Sequence, residues 1–81
     1  MAKIRFRRVY IQEFDGSVSL EHIALTDYKG AVISTLDDGI KMMKKMRVDR
    51  RGECSYWVTE SLMFFDRVKD AKEVAEKWLN E

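Results

Sequence analysis

His22 is the only histidine and Cys54 the only cysteine in this chain of 81 residues. Together they could form a thiolate–imidazole pair, in which the imidazole takes the thiol proton and leaves a nucleophile. Such a pair works only inside a constellation that orients it and stabilises the charge it creates, and no motif supplies one. The plainer reading is a strand histidine and a small apolar thiol. The adjacent Asp37 and Asp38 offer oxygens to a hard cation, but no further ligands converge on them in sequence. They stand where a helix is expected to begin, and capping is the simpler role. No GxGxxG, P-loop or HExxH pattern occurs. The expectation is a protein that is not an enzyme, with no metal and no cofactor.

The stretch 41–51 is the best functional candidate. Lys41, Lys44, Lys45, Arg47, Arg50 and Arg51 face a single acid there, Asp49. A basic surface of this kind can follow a phosphate backbone. Tyr28, Tyr56 and Trp57 could stack on bases if exposed; exposure of Tyr56 and Trp57 beside the basic hairpin would favour nucleic acid, and burial of both would favour a merely solvated helix face and turn. The whole chain carries 15 bases and 14 acids, a net charge of +1, so the charge is local. Lys3, Arg5, Arg7 and Arg8 form a second basic block, and Glu13, Asp15, Glu21 and Asp27 an acidic one. Met42, Met43, Met46 and Met63 either fill the core or form an adaptable surface.

The elements that must position these residues follow from pattern. Lys3 to Phe14 reads as a strand, Asp15-Gly16 as a two-residue hairpin turn and Ser17 to Leu25 as the returning strand. That turn pairs Tyr10 with Glu21, Arg8 with Ile23 and Phe6 with Leu25, and places Arg8 diagonal to Glu21. Both faces of the pair come out partly apolar, so a bulge, strong twist or cover on parts of both faces is expected. Asp27-Tyr28-Lys29-Gly30 suits a turn, and Ala31-Val32-Ile33 a short buried strand. Thr35 to Asp38 resembles a capping box, and Leu36, Ile40, Met43 and Arg47 follow at helical spacing. Gly39 within that helix costs about 1 kcal/mol against alanine. Asp49 to Gly52 reads as a second hairpin turn between 46–49 and 53–59, and Leu62 to Phe65 as a strand. Asp66 is the expected N-cap of a last helix, 67–80, with Val68, Ala71, Val74, Ala75, Trp78 and Leu79 on its apolar stripe. The fold class is therefore α+β: an antiparallel sheet of four to five strands with two helices, in the order β-β-β-α-β-β-α.

The run from Asp15 to Met43 resembles the βββα half of HicB-type antitoxins in its DG turn, D-x-x-G loop and T-L helix start. Asp38-Gly39 stand where that family has Glu-Ala. The resemblance implies a helix after the third strand, and no function is carried over.

Length bounds the chain to one domain, residues 1–81, with a modest core. Hydrophobic residues make up 46% of it, which excludes a disordered chain. No apolar run reaches the ~18 residues of a membrane span, and the first residues lack a signal-peptide pattern. A single cysteine allows no internal disulfide. These features point to the cytoplasm. The functional expectation is a small accessory or inhibitory protein, of the kind phages encode, that acts by contact with another protein. The alternative is nucleic-acid binding by the 41–51 stretch. The surfaces singled out are that stretch and Tyr28.

Overall fold

The computed structural model describes residues 4–81, in which five strands precede one helix: β1 (Arg7–Gln12), β2 (Val18–Leu25), β3 (Lys29–Thr35), β4 (Lys41–Arg51), β5 (Cys54–Phe65) and α1 (Val68–Leu79). The sheet is an antiparallel meander in which each strand pairs with the next, in the order β1-β2-β3-β4-β5. Lys3, the expected start of the first strand, lies outside the described residues.

The order β-β-β-α-β-β-α with two helices is wrong. The segment expected to form the first helix is β4, and α1 is the one helix among the described residues. Leu36 to Gly39 is a tight turn, not a helix start. The Leu36 N–H donates to the Ile40 carbonyl at 2.8 Å, and the Gly39 N–H donates to the Leu36 carbonyl at 2.9 Å. Gly39 has φ +86°, a left-handed conformation that closes such a hairpin and has no place in a helix. Asp38 Oδ1 accepts from the Ile40 N–H at 3.0 Å, so this carboxylate serves the turn and caps no helix. The methionines and lysines that follow satisfy either period. Met43 and Lys45 alternate with Met42, Lys44 and Met46 across the two faces of the sheet as readily as they fall on a helical stripe.

The first hairpin is shifted by one residue from its expected register. Arg8 lies opposite His22 and Tyr10 opposite Leu20. The cause is a longer turn: Glu13 N–H donates to the Ser17 carbonyl at 2.8 Å, and Gly16 N–H to the Glu13 carbonyl at 3.1 Å. A slip of one residue sends every β2 side chain to the other face. Ile23 and Leu25 therefore oppose the face of Phe6 and Tyr10, and Arg8 and Glu21 are on opposite faces and form no pair. The turn expected at Asp27 to Gly30 lies one residue earlier: the Thr26 N–H donates to the Lys29 carbonyl at 2.8 Å, with Asp27 and Tyr28 at the two central positions. The last hairpin tightens at Gly52-Glu53, with Arg51 opposite Cys54. The expected strand 62–65 is the end of β5. A bulge interrupts β5 just before it, while the β1–β2 register is continuous. Ser61 opposes Lys45 and Thr59 opposes Met46, which leaves Glu60 without an opposite residue.

Helix α1 lies across β3, β4 and β5 on one face of the sheet. The helix N-cap is Arg67, not Asp66, and it makes no side-chain cap bond. The expected apolar stripe is the one that packs: Ala71, Ala75, Trp78 and Leu79 are buried against Ala24, Ala31, Ile33 and Met43. Alanines at 71 and 75 let the helix approach the sheet closely. Ile4, Phe6, Met63, Phe65 and Val74 rim this core.

Candidate functional site

Strand alternation divides the sheet into a helix side and a bare side. The row Arg8, His22, Ile33, Met43, Met63 runs across the helix side, and the row Arg7, Ile23, Val32, Lys44, Leu62 across the bare side. A second bare row is Val9, Glu21, Ser34, Met42 and Phe64. A third is Leu25, Gly30, Met46 and Thr59. No element among the described residues lies over this side, because α1 contacts the sheet from the other. Leu25, Leu62, Phe64 and Trp57 are exposed on it.

Gly30 shapes the middle of the third row. A Cβ there would lie 2.6 Å from Cδ2 of Leu25 and 3.4 Å from Cζ3 of Trp57. The glycine thus lets both side chains fold down over β3. At the β1–β2 corner, Arg5, Arg7, Val9, Ile23 and Leu25 line a shallow concavity. Two charges stand nearer the centre. Lys44 projects from β4 between Val32 and Leu62. Glu21 projects from β2, and its Oε2 accepts from the Ser34 hydroxyl at 2.7 Å.

The residues of the 41–51 stretch do not form one surface. Lys44 and Arg50 are on the bare side, and the others are on the helix side. Lys41 Nζ donates to the Gly39 carbonyl at 2.9 Å. Lys45 Nζ sits 5.5 Å from the centroid of the Trp78 ring, a structural contact. Arg47 pairs with Glu60 at 3.7 Å, and Arg51 with Asp49 at 3.6 Å. The expected basic helix face does not exist, because a strand alternates what a helix would have grouped. What the structure does bring together is the Tyr28 backbone and the base of an arm formed by the last hairpin. Residues 48–57 extend beyond the reach of β3 as a two-stranded arm, and the Val48 N–H donates to the Tyr28 carbonyl at 2.9 Å. Tyr56 and Trp57, 41% and 39% exposed, lie on opposite faces of that arm.

His22 and Cys54 are not partners. His22 is on β2 and Cys54 begins β5, with two strands between them. Burial lowers the pKa of His22 from the usual histidine value, and the charges of Lys72 and Arg8 lower it further. Its Nδ1 is buried without a hydrogen-bond partner. Among the described residues, no group of three His, Cys, Asp or Glu is placed to hold a metal ion. The methionines divide. Met43 is fully buried and Met63 packs at the core, while Met42 and Met46 lie half-buried on the bare side.

Sequence reasoning missed the bare side as a site. Its signal was present in the apolar residues on both faces of the first hairpin, more than one helix can cover. The slipped register concealed which of them would share a face. No helix among the described residues is long and apolar enough to cross a membrane. No family model, no curated protein and no solved structure matches the chain.

Proposed function

We propose that this protein works without catalysis, as an accessory or inhibitory protein that binds another protein through the bare side of its sheet. One observation carries the reading: three adjacent cross-strand rows of mostly apolar side chains have no covering layer. Sheets that are apolar on both faces need cover on both. A contiguous patch of this kind, with methionine and aromatic residues inside and charge kept sparse, has the composition of an interface centre. Leu62→Glu tests it, since Leu62 is 48% exposed and outside the core. A protein retained stoichiometrically by the wild type and lost with Leu62→Glu supports the reading. Equal retention by both, or a wild type that binds no protein and stays monomeric, overturns it.

A second reading, nucleic-acid binding, is favoured by the exposure of Tyr56 and Trp57 beside Arg47, Arg50 and Arg51. Its test is binding to single-stranded oligonucleotides that weakens steeply with salt and is lost in the triple variant Lys44→Ala, Arg50→Ala, Arg51→Ala. Lys45 is left unchanged because it sits over Trp78.

A further inference from the structure

We propose that the occupant of the bare side is a second copy of this chain, docked face to face about a two-fold axis that runs along β3. This inference rests on the reading of the bare side as a protein-contact surface and names the partner.

The first argument is layering. The molecule measures 39 × 31 × 19 Å, and its short dimension holds one sheet and one helix. Two sheets pack face to face about 10 Å apart. A second copy therefore adds the missing layer with the same chemistry as the first, giving helix, sheet, sheet, helix.

The second argument is charge. Glu21 on β2 and Lys44 on β4 flank β3 from opposite sides. Rotation about an axis along β3 keeps each residue's height along the strand and exchanges the places of β2 and β4. Lys44 of the second copy then stands over Ile23, one cross-strand row from Glu21. That offset is about 7 Å along the strand, within a lysine's span. The pairing occurs twice by symmetry. Glu21 has an oxygen left for it, because Ser34 takes only Oε2. An axis running across the strands through the row of Val32 would instead stack Lys44 on its own copy. Of these two axes, the charges favour the one along β3.

The third argument is the apolar match. The same rotation sets Leu25 opposite Met46 and Val9 opposite Phe64, apolar on apolar, while Arg7 faces Leu62 and Glu21 faces Met42. Five strands spaced about 4.8 Å apart and about 20 Å long project to roughly 500 Å². Two such faces bring together roughly 1,000 Å² before side-chain relief is counted, which meets the lower bound of about 1,000 Å² for a specific interface. A nucleic-acid backbone fits this face less well, since Glu21 lies inside it.

Sedimentation equilibrium from micromolar to a few hundred micromolar is the test, with circular dichroism to verify the fold of each variant. The wild type is expected at twice its 9.6 kDa chain mass. Glu21→Lys and Lys44→Glu alone each weaken the dimer by roughly tenfold or more, and the double exchange restores it to within about threefold. A wild type that is monomeric throughout overturns the inference. So does a dimer that ignores Leu62→Glu and both charge reversals, which would place the contact elsewhere, as at the open edge of β5. If the wild type is monomeric and Leu62→Glu still abolishes binding to a different protein, the docking surface stands and the second copy is refuted. If the monomer instead binds oligonucleotides through this face, both are refuted.

Discussion

Lys29 holds the C-terminal turn of α1 through Trp78. Its ammonium donates to the Trp78 carbonyl at 3.2 Å and lies 5.1 Å from the centroid of the same residue's ring. It also donates to the Glu81 carbonyl at 3.3 Å. A cation at a helix C-terminus and a cation over an indole each stabilise by about 0.5–1 kcal/mol or more where partly desolvated. Lys29→Met is expected to remove about 1–2 kcal/mol and to lower the melting midpoint by roughly 5–15 °C. Lys29→Arg should retain part of this. Thermal melts of the two variants decide it, and an unchanged midpoint for Lys29→Met would show that the contact contributes nothing.

Trp78 is 8% exposed and completes the core at the end of the helix. Trp78→Ala is expected to destabilise the fold by about 3–5 kcal/mol, the range for a buried large aromatic. Domains of this size have stabilities starting near about 5 kcal/mol, so the variant should be largely unfolded. Loss of partner binding with an unchanged midpoint would instead make Trp78 a surface residue. Urea denaturation read alongside binding separates the outcomes.

His22 makes the fold sensitive to mild acid. Burial lowers its pKa below the ordinary value of 6.5, with Lys72 and Arg8 acting in the same direction. The unfolded chain therefore binds the proton first as pH falls, and stability is lost through the window that opens below about 6.5 and closes at the folded pKa. Above that window both states hold a neutral imidazole and the effect vanishes. Urea midpoints at pH 7.5 and 5.5 should differ more for the wild type than for His22→Gln. Equal differences would refute the assignment.

Gly39 distinguishes hairpin from helix by the sign of one substitution. At φ +86° an L-residue is strained, so Gly39→Ala should destabilise by about 1–2 kcal/mol. In the helix expected from the sequence, the same change would stabilise by about 1 kcal/mol. A chemical denaturation curve reads the sign directly.

That contrast also shows how far the sequence was legible. The last helix was readable because Val68, Ala71, Val74, Ala75, Trp78 and Leu79 fit one period and no other. The stretch Lys41 to Met46 was not, because long unbranched side chains carry high helix propensity while their alternation fits a strand equally well. Tertiary pairing with β3 decided it. The register of the first hairpin depended on how Glu13 and Ser17 close their turn, which Asp15-Gly16 alone did not specify. The candidate site fell with those two errors. Once the basic residues alternate, Lys41 and Lys45 go to the helix side, and Ile23 and Leu25 come to the bare one.

The position of α1 at the end of the meander bears on how the chain folds as it is made. Each strand pairs with its sequence neighbour, so hairpins can form within about 1–10 μs of emerging. Yet Ala31, Ile33 and Met43 have nothing to bury them until residues 71–79 arrive. At about 5–20 residues per second, the helix follows β5 by roughly a second, some hundred thousand times longer than a hairpin needs. During that interval both faces of the nascent sheet are open. Burial of the core therefore comes as one late, cooperative event. A product that stops before Trp78 would persist as an open sheet and meet proteases and other chains in that state.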